Sequence, residues 1–193
     1  MKSIAVFCGS GEGNKNVYRE AAWLLGATLA VLNIRLIYGG ARIGLMGAVA
    51  DAALKAGGEV TGVIPYFLKT KEVAHEGLTE LITVENMHDR KLKMHELSDG
   101  IIALPGGWGT MEELFEMLTW GQLGLHGKPI GLLNINNYYN PLNTLCDTMV
   151  TEGFLNATTR NMLLHSKKIN DLLDQMNAYR PVETTKWITE MAT

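Results

Sequence analysis

The chain has 193 residues, 47% of them hydrophobic, with 21 glycines and 5 prolines; this suffices for one buried core and excludes disordered or fibrous classes. Its 17 basic and 20 acidic side chains leave a net charge of −3, so no broad positive field awaits a polyanion and nucleic acid is not an expected partner. No apolar run is long enough to span a bilayer and the start lacks the plan of a secretory leader, so a cytoplasmic protein without membrane attachment is expected.

Residues 4–7 form a first apolar run, closed by Gly9-Ser10-Gly11-Glu12-Gly13, and helical spacing follows through Tyr18, Ala22, Leu25 and Leu29. Residues 36–38 form a second strand, and Gly39-Gly40-Ala41-Arg42-Ile43-Gly44 leads into a helix carrying Leu45, Met46, Val49 and Leu54. The third strand, 60–64, stops at Pro65. Residues 66–80 are irregular, as befits a binding loop. A strand near 81–84, a helix over 87–97 and a strand at 101–104 come next. They are followed by a glycine-rich loop, a helix through Leu114 and Leu118, a strand at 130–133, a helix over 139–152 and a last strand at 163–165.

This alternation predicts an α/β fold: a single Rossmann-like domain over residues 1–180, an open doubly wound parallel sheet with helices on both faces, then a loose tail over 181–193. Such sheets bind ligands beyond the carboxyl ends of their strands, and all three glycine-rich loops lie there.

In the third of these, Pro105-Gly106-Gly107-Trp108-Gly109-Thr110 stands between a strand and a helix expected to open at Met111. Glycine lets backbone approach a ligand closely, and bare amides at a helix start favour an anion such as a phosphate monoester; an unliganded tight turn is the alternative. Thr110 and Glu113 also match a capping box. Helical phase sets Glu113 with Glu112 and Glu116 on a polar side, opposite Met111, Leu114, Phe115 and Leu118, which favours the cap. The dinucleotide fingerprint and the P-loop are both absent, which argues against a dehydrogenase or an ordinary kinase.

Met87, Met94 and Leu97 share one helical stripe, and Arg90 lies on it. An inward arginine is costly unless it meets an anion, either a carboxylate or a bound phosphate. Lys91 is balanced between a ligand contact and a surface lysine, while His88 and His95 are expected to be surface or satisfied residues. Cys8 and Cys146 have neither metal-ligand spacing nor a disulfide framework and are expected as small buried hydrophobes.

The motifs Met87-His88-x-Arg90-Lys91 and Pro105-Gly106-Gly107-x-Gly109-Thr110-x-x-Glu113 resemble those of the Lonely Guy family, the cytokinin riboside 5′-monophosphate phosphoribohydrolases, with bacterial relatives long labelled lysine decarboxylase-like. Cys8-Gly9-Ser10, Gly44-Leu45-Met46-Gly47 and Thr119-Trp120-x-Gln122 match as well. The resemblance implies hydrolysis of the N-glycosidic bond of AMP or an N6-modified AMP, giving free base and ribose 5-phosphate. It implies Arg90 and Glu113 as catalytic residues. Substrate contacts would come from Gly9, Ser10, Glu72, Arg90, Lys91, Gly107, Trp108, Gly109, Thr110, Met111, Glu112, Glu113 and Thr119. A homodimer with the site near the subunit interface is implied, and no metal or cofactor; no pyridoxal site accompanies the decarboxylase label. Gly11, Ala41 and Arg42 depart from the commoner family residues. The alternatives are a carrier that binds a nucleotide or molybdenum cofactor without cleaving it, and a DNA-processing relative, which the acidic balance disfavours.

Overall fold

The computed structural model describes residues 1–69 and 74–182. Within them the apolar runs form seven strands: β1 (Ser3–Phe7), β2 (Arg35–Tyr38), β3 (Val60–Pro65), β4 (Glu80–Val84), β5 (Gly100–Ala103), β6 (Ile130–Leu133) and β7 (Leu163–Ser166). All pair in parallel, in the order β4-β3-β2-β1-β5-β6-β7. Parallel neighbours need crossover connections. These are supplied by α1 (Asn16–Val31), α2 (Gly44–Lys55), α3 (Tyr66–Lys69), α4 (Met87–Glu96), α5 (Trp108–Gln122), α6 (Asn140–Thr151) and α7 (Ala157–Arg160), and α8 (Ile169–Ala178) follows β7.

Alternation along each strand divides the core in two. Ile4 and Val6 of β1 and Ile102 of β5 meet Leu25 and Leu29 of α1, Val49 of α2 and Leu172 of α8. Ala5, Phe7, Ile101 and Ala103 point the other way, to Met94 of α4, Leu114 and Met117 of α5, and Cys146 of α6. The central strands are apolar on both faces because helices cover both. This is the doubly wound α/β sheet that the sequence predicts.

The chain steps outward from β1 to β4, then returns to place β5 on the other side of β1. The strand order therefore reverses between β1 and β5, and the loops leaving their carboxyl ends bound a crevice there.

Some details differ from expectation. α5 begins three residues earlier than expected, at Trp108, and α7 and α8 were not anticipated. The stretch 66–80 opens with the helical turn of α3, and an isolated bridge joins Ala41 to Ala74. Of the expected tail, only residues 181 and 182 lie among those described. Among the described residues no helix is long and apolar enough to cross a membrane.

Candidate active site

The three glycine-rich loops converge. The Gly9 amide donates to the Pro105 carbonyl at 3.1 Å, joining the loop after β1 to the loop after β5, and the Leu45 amide at the start of α2 donates to the Gly9 carbonyl at 3.1 Å. Between them lies a cavity of about 330 Å³ bounded by Ser10, Glu12, Tyr18, Leu45, Gly107 and Tyr138. A larger opening of about 570 Å³ lies at the other ends of the strands, beside Lys2, Arg35 and Glu59; none of the expected site residues faces it. α5 starts at this crevice with Gly107 as its N-cap, and no side chain caps it. The amides of Trp108, Gly109 and Thr110 thus begin a helix without a partner in the preceding turn, which is the arrangement that attracts an anion.

The capping box expected at Thr110 and Glu113 does not form. Glu113 is instead a buried residue, and its carboxylate takes the Arg90 guanidinium: Nη1 donates to Oε1 at 2.8 Å, with the two side chains 10% and 9% exposed. The expected apolar side of α5 holds for Leu114, which is buried, and for Met111 and Leu118, which pack against the core, but Glu113 joins it. The buried positions of α5 are Thr110, Glu113, Leu114, Met117 and Gly121, spaced as one inward stripe. Phe115 and Leu118 also line a separate cleft.

Arg90 arrives from α4 as its stripe predicts. The cap residue Asn86 accepts from the Asp89 amide at 2.9 Å and donates to the Asp89 carboxylate at 2.8 Å, fixing the first turn. One turn on, Arg90 reaches over β3, where Nε donates to the Val63 carbonyl at 3.1 Å. Gly39, beyond β2, makes room for it: a Cβ there would lie 1.9 Å from Arg90 Nη2. Burial pushes the Glu113 carboxyl above its ordinary range, and the Arg90 charge opposes this without cancelling it. Cys8, beside Gly9, is close enough to feel both charges; burial first, and Glu113 second, raise its thiol far above the usual range, so it stays neutral.

Lys91 is buried rather than on the surface. Its Nζ donates to Glu112 and lies 3.0 Å from Glu116 Oε2. Burial favours its neutral form, but the two carboxylates outweigh that and hold it above its ordinary value. Met87 and His88 are exposed. His95 is half-buried, its ring 4.8 Å from that of His126 and 5.5 Å from that of Trp120, and burial lowers it to about 4. Trp108 is 92% exposed. Cys8 and Cys146 are both free and buried. Among the described residues no group of three or more His, Cys, Asp or Glu is placed to hold a metal ion. Glu72 lies outside the described residues.

Thr119 is not brought to the cavity. Six residues beyond Glu113, it lies about 9 Å along the axis and roughly 120° round the helix. There it lines an apolar cleft of about 240 Å³ with Leu118, Cys146, Met149 and Phe154. Conversely, Tyr18 and Tyr138 bound the cavity and were not among the expected site residues. The run Asn136-Asn137-Tyr138, directly after β6, was the available signal, since asparagine tolerates left-handed backbone where other side chains do not.

These features define a class: a Rossmann-like α/β protein whose switch-point crevice is built from glycine loops. Residues 46–176 match the family described as "possible lysine decarboxylase". The chain belongs to this family, which takes in the Lonely Guy proteins. It is 47% identical over 181 residues, 94% of this chain and 85% of the other, to a cytokinin riboside 5′-monophosphate phosphoribohydrolase of Arabidopsis thaliana. Identity is also 47%, over 94% of this chain and 86% of the other, to a protein of Oryza sativa subsp. japonica named a "probable" enzyme of the same kind. Among solved structures, the molybdenum cofactor binding protein of Rippkaea orientalis shares the fold, with a TM-score of 0.70 at 20% identity over 91% of this chain and 95% of the other.

Proposed function

We propose that the protein is a nucleoside 5′-monophosphate phosphoribohydrolase, which hydrolyses the N-glycosidic bond of AMP or an N6-modified AMP to free base and ribose 5-phosphate. The observation that carries this reading is the position of Glu113. It is a buried carboxylate on the same helix whose bare N-terminus faces the crevice, five residues from Trp108 and so about 7 Å along the axis. A ribose 5-phosphate spans a similar length. A phosphate held at Gly107, Trp108, Gly109 and Thr110 therefore brings the anomeric carbon toward Glu113, and binding energy at the phosphate becomes positional advantage at the sugar.

Glu113 accepts a proton from water as the water oxygen bonds to C1′ and the C1′–N bond breaks; the departing base is protonated in turn. Its negative charge also stabilises the oxocarbenium character of the sugar. Arg90 orients the carboxylate and offsets the cost of its burial. Gly9, Ser10, Lys91, Met111 and Glu112 complete the site, and residues 1–180 are its catalytic domain. A carrier of nucleotide or molybdenum cofactor needs an anion site but no buried Arg–Glu pair beside it, so the pair favours the enzyme.

Relatives at 47% identity carry the name of this activity, which supports the substrate class and a part in cytokinin biosynthesis. The protein is placed in the cytoplasm, where its two buried thiols remain reduced. It is a homodimer with the site near the subunit interface. Thr119, turned away from the cavity of its own chain, then serves the site of the neighbouring subunit.

The test is Glu113→Gln assayed with AMP. The variant should fold and bind AMP yet release no adenine; adenine release at the wild-type rate would remove Glu113 from the reaction.

A further inference from the structure

The loop after β5 presents three successive carbonyls, and each is taken up by a donor outside the loop. Tyr139 Oη donates to the Leu104 carbonyl at 2.5 Å, the Gly9 amide to that of Pro105 at 3.1 Å, and Tyr138 Oη to that of Gly106 at 2.6 Å. The last of these matters most for an anion. It falls on the peptide joining Gly106 to Gly107, which has no side chain on either side to resist its turning over. Turned one way the peptide offers the Gly107 amide. Turned the other way it offers a carbonyl oxygen, which repels an anion.

No stiffer residue can replace Gly106, because a Cβ would lie 2.1 Å from Thr110 Oγ1 and 2.8 Å from the Gly9 amide nitrogen. The orientation must therefore be held by a neighbour. The peptide is trans, so its C=O and N–H point in opposite directions; with the carbonyl held to Tyr138, the Gly107 amide faces away from it. Tyr138 is itself braced. Its ring meets Tyr18 edge-on at 6.0 Å and Tyr139 at 5.1 Å, and Asn136 donates to Tyr18 Oη at 3.3 Å. It follows two asparagines with left-handed φ of 52° and 62°, a backbone that persists only where its surroundings impose it.

We infer that Tyr138 is a positioning residue, whose hydroxyl locks the peptide joining Gly106 to Gly107 in the orientation that receives the 5′-monoester anion of the substrate. The inference rests on the phosphate site of the proposed function. Tyr138 is 41% exposed, so Tyr138→Phe removes one hydroxyl with little effect on packing, and an unchanged Tm checks this.

In that variant KM for AMP and the inhibition constant of ribose 5-phosphate should rise together, by about fivefold, the weight of one ordinary hydrogen bond. Inhibition by adenosine, which has no phosphate, and kcat should both stay at wild-type values. Wild-type affinity for ribose 5-phosphate in Tyr138→Phe would overturn the inference, as would a fall in kcat with KM unchanged. Wild-type protein that bound adenosine as tightly as AMP would overturn the phosphate site itself.

Discussion

Burial and the Arg90 guanidinium pull the Glu113 carboxyl in opposite directions, and burial prevails. A base must be ionised to act, so the acid limb of kcat/KM should lie above the ordinary 4.5 of a glutamate, with activity falling as pH drops through the raised value. The neighbouring charges give the sign of each variant. Glu112 raises the Glu113 carboxyl and Lys91 lowers it. Glu112→Gln should therefore move the acid limb to lower pH, and Lys91→Met should move it to higher pH. Shifts in the same direction, read from pH–rate profiles, would show that Lys91 and Glu112 act on Glu113 otherwise than by charge. Arg90 was legible in the sequence because a guanidinium on an apolar stripe demands an anion. Glu113 was legible only through the family resemblance, because a glutamate three residues after a threonine at a helix start has an ordinary explanation, and only the approach of α4 supplies the other one.

At the scale of elements, α1 and α2 pack closest where glycine permits it. A Cβ on Gly26 would lie 2.1 Å from the Val49 carbonyl oxygen, and a backbone atom cannot swing aside as a side chain can. Gly26→Ala gains about 1 kcal/mol in helix propensity but forces the helices apart, at a cost near the upper end of the roughly 1–3 kcal/mol of overpacking. The expected outcome is a net loss of about 2 kcal/mol, measured by denaturant unfolding; a stabilised variant would show that the two helices can separate freely. Element order was readable because strands buried on both faces become short apolar runs separated by glycine turns. α8 was missed although Ile169, Leu172, Leu173 and Met176 are buried at helical spacing. The polar side of α5 was misassigned only at Glu113, because the buried stripe also takes in Thr110 and Gly121, which carry no apolar signal.

At the scale of the whole molecule, that cleft bears on assembly. Thr119 lies in it with Phe154, which is 86% exposed, and Leu125 and Leu145 are 58% and 50% exposed. Apolar surface of this kind is a common basis for association. Sedimentation equilibrium should give twice the 21.2 kDa chain mass; a monomer with full activity would leave Thr119 without a part in the site.

The sequence by itself determined the α/β class, the loops that form the crevice and the arginine that needs an anion, because periodicity, glycine turns and the cost of burying charge are local properties. Only the tertiary structure decided that Glu113 is that anion, that Lys91 is buried between two carboxylates, that Thr119 lies apart, and that Tyr138 reaches the phosphate loop. Each of these depends on which elements lie side by side over the sheet, and contacts between residues 21 to 32 positions apart leave no periodic trace along the chain.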